Sequence, residues 1–131
     1  MSALESLFNK KILIVDDTAS MRMLVRAVLW DAGFHDIYQA KNGEDALSQL
    51  EKQTIDLIIC DWNMPVMSGL ELFKQVNADS ELKDTGFILL TSSSEGEKVK
   101  EAISSGISSY LLKPFKPEAL LQHITKFLSE K

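Results

Sequence analysis

"TIDLIICDWNMPVMSG" (residues 54–69) decides how this chain folds. Its apolar run, Leu57-Ile58-Ile59-Cys60, has no polar alternation, so both faces of the strand it forms must be covered, as in a parallel sheet flanked by helices. The run stops at Asp61, and Trp62, Asn63, Met64 and Pro65 follow. A plain turn would be built from Asn-Gly or Pro-Asp. A carboxylate at the end of a buried strand therefore asks for a chemical reason.

Further runs of strand length lie at "KILIV" (11–15), "DIYQA" (36–40), "FILL" (87–90) and "SYLL" (109–112). The first and fourth of the five are as continuously apolar as the third, whereas the second is more polar and suits a sheet edge. Helical periodicity fills the intervals. Met21, Leu24, Val25, Val28, Leu29 and Ala32 share one face, with Arg22, Arg26 and Asp31 opposite, and Gly33 stands where a helix ends in a left-handed residue. Ala46, Leu47 and Leu50 define a second inward face, and Leu70, Phe73 and Val76 a third. A fourth helix over 95–106 turns Val99, Ala102 and Ile103 inward and closes at Gly106. A fifth starts at Pro117, a good first-turn residue, and buries Leu120, Leu121, Ile124, Phe127 and Leu128. Strict β-α alternation predicts an α/β fold with a parallel sheet and helices on both faces.

Composition narrows the function classes. The 131 residues fit one domain with a real core. A net charge of −5 argues against a nucleic-acid surface and against an electrostatic membrane anchor. No apolar stretch reaches the roughly 18 residues that span a bilayer. The start "MSALESLFNK" lacks the design of an export signal, so a cytoplasmic location is expected. Cys60 is the one cysteine and reads as a small buried hydrophobe. No long heptad or large extra apolar surface is visible, so the resting state is expected to be a monomer.

Parallel α/β sheets bind ligands beyond the carboxyl ends of their strands, which makes the residues at those ends the informative ones. Asp16 and Asp17 follow the first strand, Asp61 the third, Thr91 the fourth and Lys113 the fifth. Taken singly they are bland: an Asp pair caps a helix, Asp61 turns a loop, Thr91 caps and Lys113 is a solvated charge. The fold brings them together. Two carboxylates about 4 Å apart in an effective dielectric near 20 repel by about 4 kcal/mol, so the cluster must hold a proton, bind a cation or lean on a lysine. A hard divalent cation with oxygen ligands answers best, and Mg²⁺ suits one or two direct carboxylates with waters and a phosphate oxygen. No His or Cys cluster competes for a softer metal.

The motifs "IVDD" (14–17), "CDWNMP" (60–65), "LLTSS" (89–93) and "YLLKPF" (110–115) together resemble the receiver domain of two-component response regulators, from Lys10 to the end of the chain. "DWNMP" is most similar to the chemotaxis receivers. Residues 1–9 are then an N-terminal extension and 10–131 the receiver domain. The resemblance implies a flavodoxin-like (βα)5 sheet of order 2-1-3-4-5, an order carried over from the family's chemotaxis member. It implies that Asp61 is the nucleophile, exposed to solvent and donor, and accepts a phosphoryl group from a histidine kinase. Asp17, Asp61 and the backbone carbonyl of Asn63 would hold Mg²⁺, with Asp16 acting mainly through water. Lys113 would contact the phosphoryl oxygens, and Thr91 would donate its hydroxyl to one of them. Thr91 moving inward would open a space for the ring of Tyr110, a packing switch that remodels the fourth helix, fifth strand and fifth helix. The Lys113-Pro114 bond is expected cis.

The same resemblance implies a stand-alone switch, not an enzyme acting on other molecules, whose output is contact with a protein partner. A flagellar motor switch protein is the candidate partner, and a phosphate sink or relay intermediate the alternative. Several residues depart from the chemotaxis pattern: Ser68 replaces the usual Asp, Ser92 and Ser93 follow Thr91, Thr18 is small, and Glu95 and Glu97 open the fourth helix beside Lys98 and Lys100. A haloacid-dehalogenase-like phosphatase would place its nucleophile after the first strand in an Asp-x-Asp pattern, which is missing here. A flavin module would need a phosphate-cradling loop. Trp62 either gates Asp61 or packs beside its loop, and it should report Mg²⁺ by fluorescence. Met64 and Met67 read as packing residues, and His35 and His123 as surface or capping groups. "ALESLF" (3–8) reads as one helical turn.

Overall fold

Apolar runs without alternation fold as strands only when both faces are covered. Ile12–Val15 (β1) and Leu57–Asp61 (β3) are buried at every position, as is Gly86–Ser92 (β4) but for its last residue. Ile37–Ala40 (β2) and Tyr110–Lys113 (β5) are only partly buried and form the two edges of a five-stranded parallel sheet of order β2-β1-β3-β4-β5. The flavodoxin-like order is thus met, with the polar second strand at an edge. A computed structural model describes residues 7–92, 96–107 and 109–129, with the side chains of 96–99 outside the description.

Side chains alternate across a strand, and two cores result. Ile12, Ile14, Leu57, Ile59, Ile88 and Leu90 face the helices Ala19–Ala32 (α1) and Pro117–Ser129 (α5), meeting Val25, Leu29, Leu120, Ile124 and Leu128. Leu13, Val15, Ile58, Cys60, Phe87 and Leu89 face the other way, toward Gly43–Lys52 (α2), Gly69–Ala78 (α3) and Gly96–Ser104 (α4). The chain leaves β1 toward β2, then returns past β1 to β3. That reversal places a crevice at the carboxyl ends of β1 and β3.

Local signals set the helix ends. Gly33 adopts φ 116°, and its N–H closes α1 on the Leu29 and Trp30 carbonyls, a left-handed stop open to glycine at little steric cost. Gly106, at φ 103°, closes α4 as expected. Ser68 caps α3: its side chain accepts from Glu71 N–H while Glu71 accepts from Ser68 N–H.

Two inward assignments are corrected. Leu24 is 52% exposed and Ile103 54% exposed. At 100° per residue, Val25, Leu29, Met21, Val28 and Ala32 span one arc and Leu24 falls outside it; Ile103 is similarly turned away from the buried Ala102. Val99, Ser93, Glu95, Glu97 and Lys98 lie, wholly or by their side chains, outside the description.

The helical turn expected over residues 3–8 falls mostly outside the described residues, but Leu7 and Phe8 are informative. Leu7 is buried in the α1–α5 core, and Phe8 meets Phe34 edge-on with ring centroids 5.2 Å apart. The Phe8 ring also lies over Gly33, where a β-carbon would collide with it. Leu7→Ala is therefore expected to lower the unfolding free energy by about 2 kcal/mol, read from urea denaturation. An unchanged midpoint would mean that Leu7 adds nothing to the core.

Candidate functional site

Register brings the acidic residues to one level. Val15 pairs with Ala40 on one side and with Cys60 on the other, so the next residues, Asp16 and Asp61, leave adjacent strands side by side. Asp16, Asp17 and Asp61 each offer a carboxylate oxygen within 4.8 Å of the others. Lys113, at the end of β5, completes the group: its Nζ lies 2.5 Å from Asp61 Oδ1. The Lys113-Pro114 peptide that follows is cis, as expected.

Burial differs among the three acids. Asp17 is exposed, Asp16 is 2% exposed and Asp61 is 7% exposed. The expectation of a solvent-exposed Asp61 is thus corrected: it is the buried last residue of β3, with Lys113 held on its carboxylate. Asp16 Oδ1 accepts the Thr18 N–H at 2.8 Å, while Asp16 Oδ2 is buried with no hydrogen-bond partner among the described residues. An orphaned buried carboxylate oxygen beside two more carboxylates fits a hard cation, which takes oxygen ligands.

Burial raises the pKa of Asp16 most; the Thr18 N–H opposes this, Asp61 raises it, Lys113 lowers it and Asp17 raises it slightly. The folded state therefore holds this proton to higher pH than the unfolded chain, and protonation favours folding. In metal-free protein the resulting gain in stability should be complete below 3.8 and disappear as pH rises through the raised pKa. Urea unfolding across pH, compared with Asp16→Asn, measures it; identical pH dependence in the two proteins would exclude the effect.

Thr91 belongs to β4 itself rather than to the loop after it; it is 1% exposed, and its Oγ1 lies 3.4 Å from the Ser92 carbonyl. Tyr110, on β5, is half-buried against the core beneath α2, α3 and α4. Asn63 is exposed and lines a cleft of about 320 Å³ with Asp17, Trp62, Met64, Pro65 and Ser68. Trp62 is 4% exposed within the core, which favours packing over gating, and Met64 is buried beside it. Cys60 is fully buried, and burial pushes its thiol pKa well up, as expected of an inert hydrophobe.

The remaining singled-out residues lie elsewhere. His35 stacks on Trp30 with centroids 3.9 Å apart, at the surface. His123 is half-buried, pairs with Ser109 Oγ at 2.7 Å, and has its pKa lowered by burial and by Lys126.

Three features escaped the sequence reading. Val66 takes φ 71° in a three-residue turn closed by Met67 N–H to the Pro65 carbonyl at 2.8 Å, a rare strained conformation for a β-branched residue. Gly69 N–H donates to the Trp62 carbonyl at 2.9 Å, packing α3 onto the strand end. Arg22, assigned to the outer face of α1, instead donates Nη1–H to the Asp16 carbonyl at 2.6 Å. Side chains lean toward a helix N-terminus, so an arginine in the first turn after an acidic loop was the available signal.

Residues 12–125 match the response regulator receiver domain. The chain is 39% identical over 125 residues to chemotaxis protein CheY-3 of Vibrio cholerae serotype O1, covering 94% of this chain and 96% of that protein. It is 37% identical over 116 residues to chemotaxis protein CheY of Pseudomonas aeruginosa, covering 88% and 94% respectively. The solved structure of Vibrio cholerae chemotaxis protein CheY4 superimposes with a TM-score of 0.82 at 40% identity, over 90% of this chain and 98% of that one. With the parallel order β2-β1-β3-β4-β5 and the acidic pocket at the carboxyl ends of β1 and β3, the match over residues 12–125 settles membership: the chain belongs to the response regulator receiver domain family.

Proposed function

We propose that this receiver is a cytoplasmic, monomeric switch that accepts a phosphoryl group on Asp61 from the phosphohistidine of a histidine kinase. The pairing of Asp61 with Lys113 inside a cluster of three carboxylates carries the reading. Lys113 engages Asp61 Oδ1, so Oδ2 is the attacking oxygen. Its O–P bond forms as the donor P–N bond breaks, and that electron pair returns to the imidazole. Hydrolysis of the acyl phosphate by water then regenerates the carboxylate and releases phosphate. The phosphoryl group is taken up and lost only on the protein's own Asp61, so the protein is a self-directed acceptor rather than an enzyme.

Asp17, Asp61 and the Asn63 carbonyl would hold Mg²⁺, with Asp16 acting through water. Bound there, the ion supplies charge neutralisation for the phosphoryl oxygens. Lys113 shares that work from the strand side, and the Thr91 hydroxyl orients toward the new oxygens. The added charge of roughly −1.5 to −2 biases Thr91 and Tyr110 together, and Tyr110 passes the change to α4, β5 and α5. On that face Ile103 and Leu112 are exposed, and a cleft of about 540 Å³ is lined by Tyr110, Leu112, Pro114, Phe115 and His123, among others.

Such a face suits a protein partner, and the relatives named as chemotaxis proteins support a flagellar motor switch protein in that role. Affinity for an amino-terminal motor-switch peptide, measured with Mg²⁺ alone and with Mg²⁺ plus beryllofluoride, tests this. Tightening of about tenfold with the phosphoryl mimic is expected. No binding in either state, with Trp62 fluorescence still responding, would replace the motor target by a phosphate sink or relay role.

A further inference from the structure

The three acids of the pocket are not held alike. Asp61 is held by Lys113, and Asp16 by the Thr18 N–H. Asp17 is exposed and makes no side-chain hydrogen bond or ion pair among the described residues. Two like charges lie within 4.8 Å of it, and their repulsion would swing it outward. Only its backbone aims it.

That backbone is pinned from an unexpected side. The Asp16 carbonyl lies past the last register pair of β1 and accepts Arg22 Nη1–H at 2.6 Å. The same guanidinium donates Nε–H to Gln39 Oε1 on β2 at 3.3 Å, and the Gln39 carbonyl accepts from Gln49 Nε2 at 2.5 Å. A peptide is planar from Cα to Cα, so holding the Asp16 oxygen also sets where the Asp17 Cα sits and how its side chain departs. We propose that Arg22 is a positioning residue of the acid pocket: its grip on the Asp16 carbonyl fixes the Asp16–Asp17 peptide so that both carboxylates converge with Asp61 on one divalent cation. The assignment rests on the reading of the pocket as a cation-dependent acceptor site.

A merely structural Arg22 would tie α1 to the sheet and affect unfolding without changing cation affinity. Groups that orient metal ligands typically contribute about 10–100-fold to metal affinity. Calorimetric titration of metal-free protein with Mg²⁺, alongside urea unfolding, separates the two roles. Arg22→Ala is expected to raise the Mg²⁺ Kd about tenfold while remaining folded. Gln39→Ala removes only the Nε partner and should leave Kd within about twofold. An Arg22→Ala protein within about threefold of wild type overturns the assignment, as does a Gln39→Ala protein weakened as much as Arg22→Ala. Should Arg22→Ala not fold, Arg22→Gln decides by the same threefold line. Wild-type protein that takes up no Mg²⁺ overturns the cation reading itself and the assignment with it. Equal, tight binding by wild type and Arg22→Ala overturns the assignment alone.

Discussion

Asp61→Asn is expected to abolish uptake of labelled phosphate from acetyl phosphate, by a factor on the order of 10³ or more. A carboxamide oxygen is a poor nucleophile, and no other carboxylate of the pocket is both buried at a strand end and paired with Lys113. The substitution should leave the fold intact. It removes repulsion from Asp16 and Asp17 and attraction to Lys113, effects of opposite sign. The unfolding free energy should accordingly move by less than about 2 kcal/mol. Uptake and urea unfolding are measured on one preparation, so lost activity is separated from lost structure. Wild-type uptake by Asp61→Asn would assign the nucleophile to another residue.

Gly69→Ala is expected to damage stability and acceptance together. Gly69 opens α3 with its N–H on the Trp62 carbonyl, and a β-carbon there would press against the Asp61 carbonyl oxygen, with Leu89 Cδ1 at 2.7 Å. Leu89 can turn aside, but the Asp61 oxygen is backbone at the strand end and cannot. Either α3 lifts or the end of β3 moves, at a cost of about 2–3 kcal/mol. A displacement near 1 Å at a reacting group can cost about 10²-fold in rate, so uptake should fall by at least about tenfold. Denaturant unfolding and uptake kinetics read the two effects. A variant with wild-type values in both would show that α3 can shift without disturbing Asp61.

Much of this architecture was legible because its signals are local. Unbroken apolar runs mark strands covered on both faces, and the residue that ends each run is the residue at the site: Asp16, Asp61 and Lys113 were found that way. Failures came where a local signal was ambiguous. Leu24 and Ile103 are apolar residues beside an inward arc, and a helical period tolerates one misplaced member. Leu7 and Phe8 looked like a tail because nothing near them in sequence shows that Phe34 and Gly33 await them. Val66 carries no residue-type signal for its positive φ, since a valine there runs against preference.

Sequence alone determined the β-α alternation, the acidic strand ends and the kind of ion they suit, because hydrophobic period and ligand chemistry belong to short segments. Tertiary structure alone decided that Lys113, 52 residues from Asp61, takes one oxygen of its carboxylate, that Asp61 is buried, and that Arg22 turns back onto the Asp16 carbonyl. Each depends on strand register and on the seating of a helix against a sheet, relations between distant segments that no local pattern encodes.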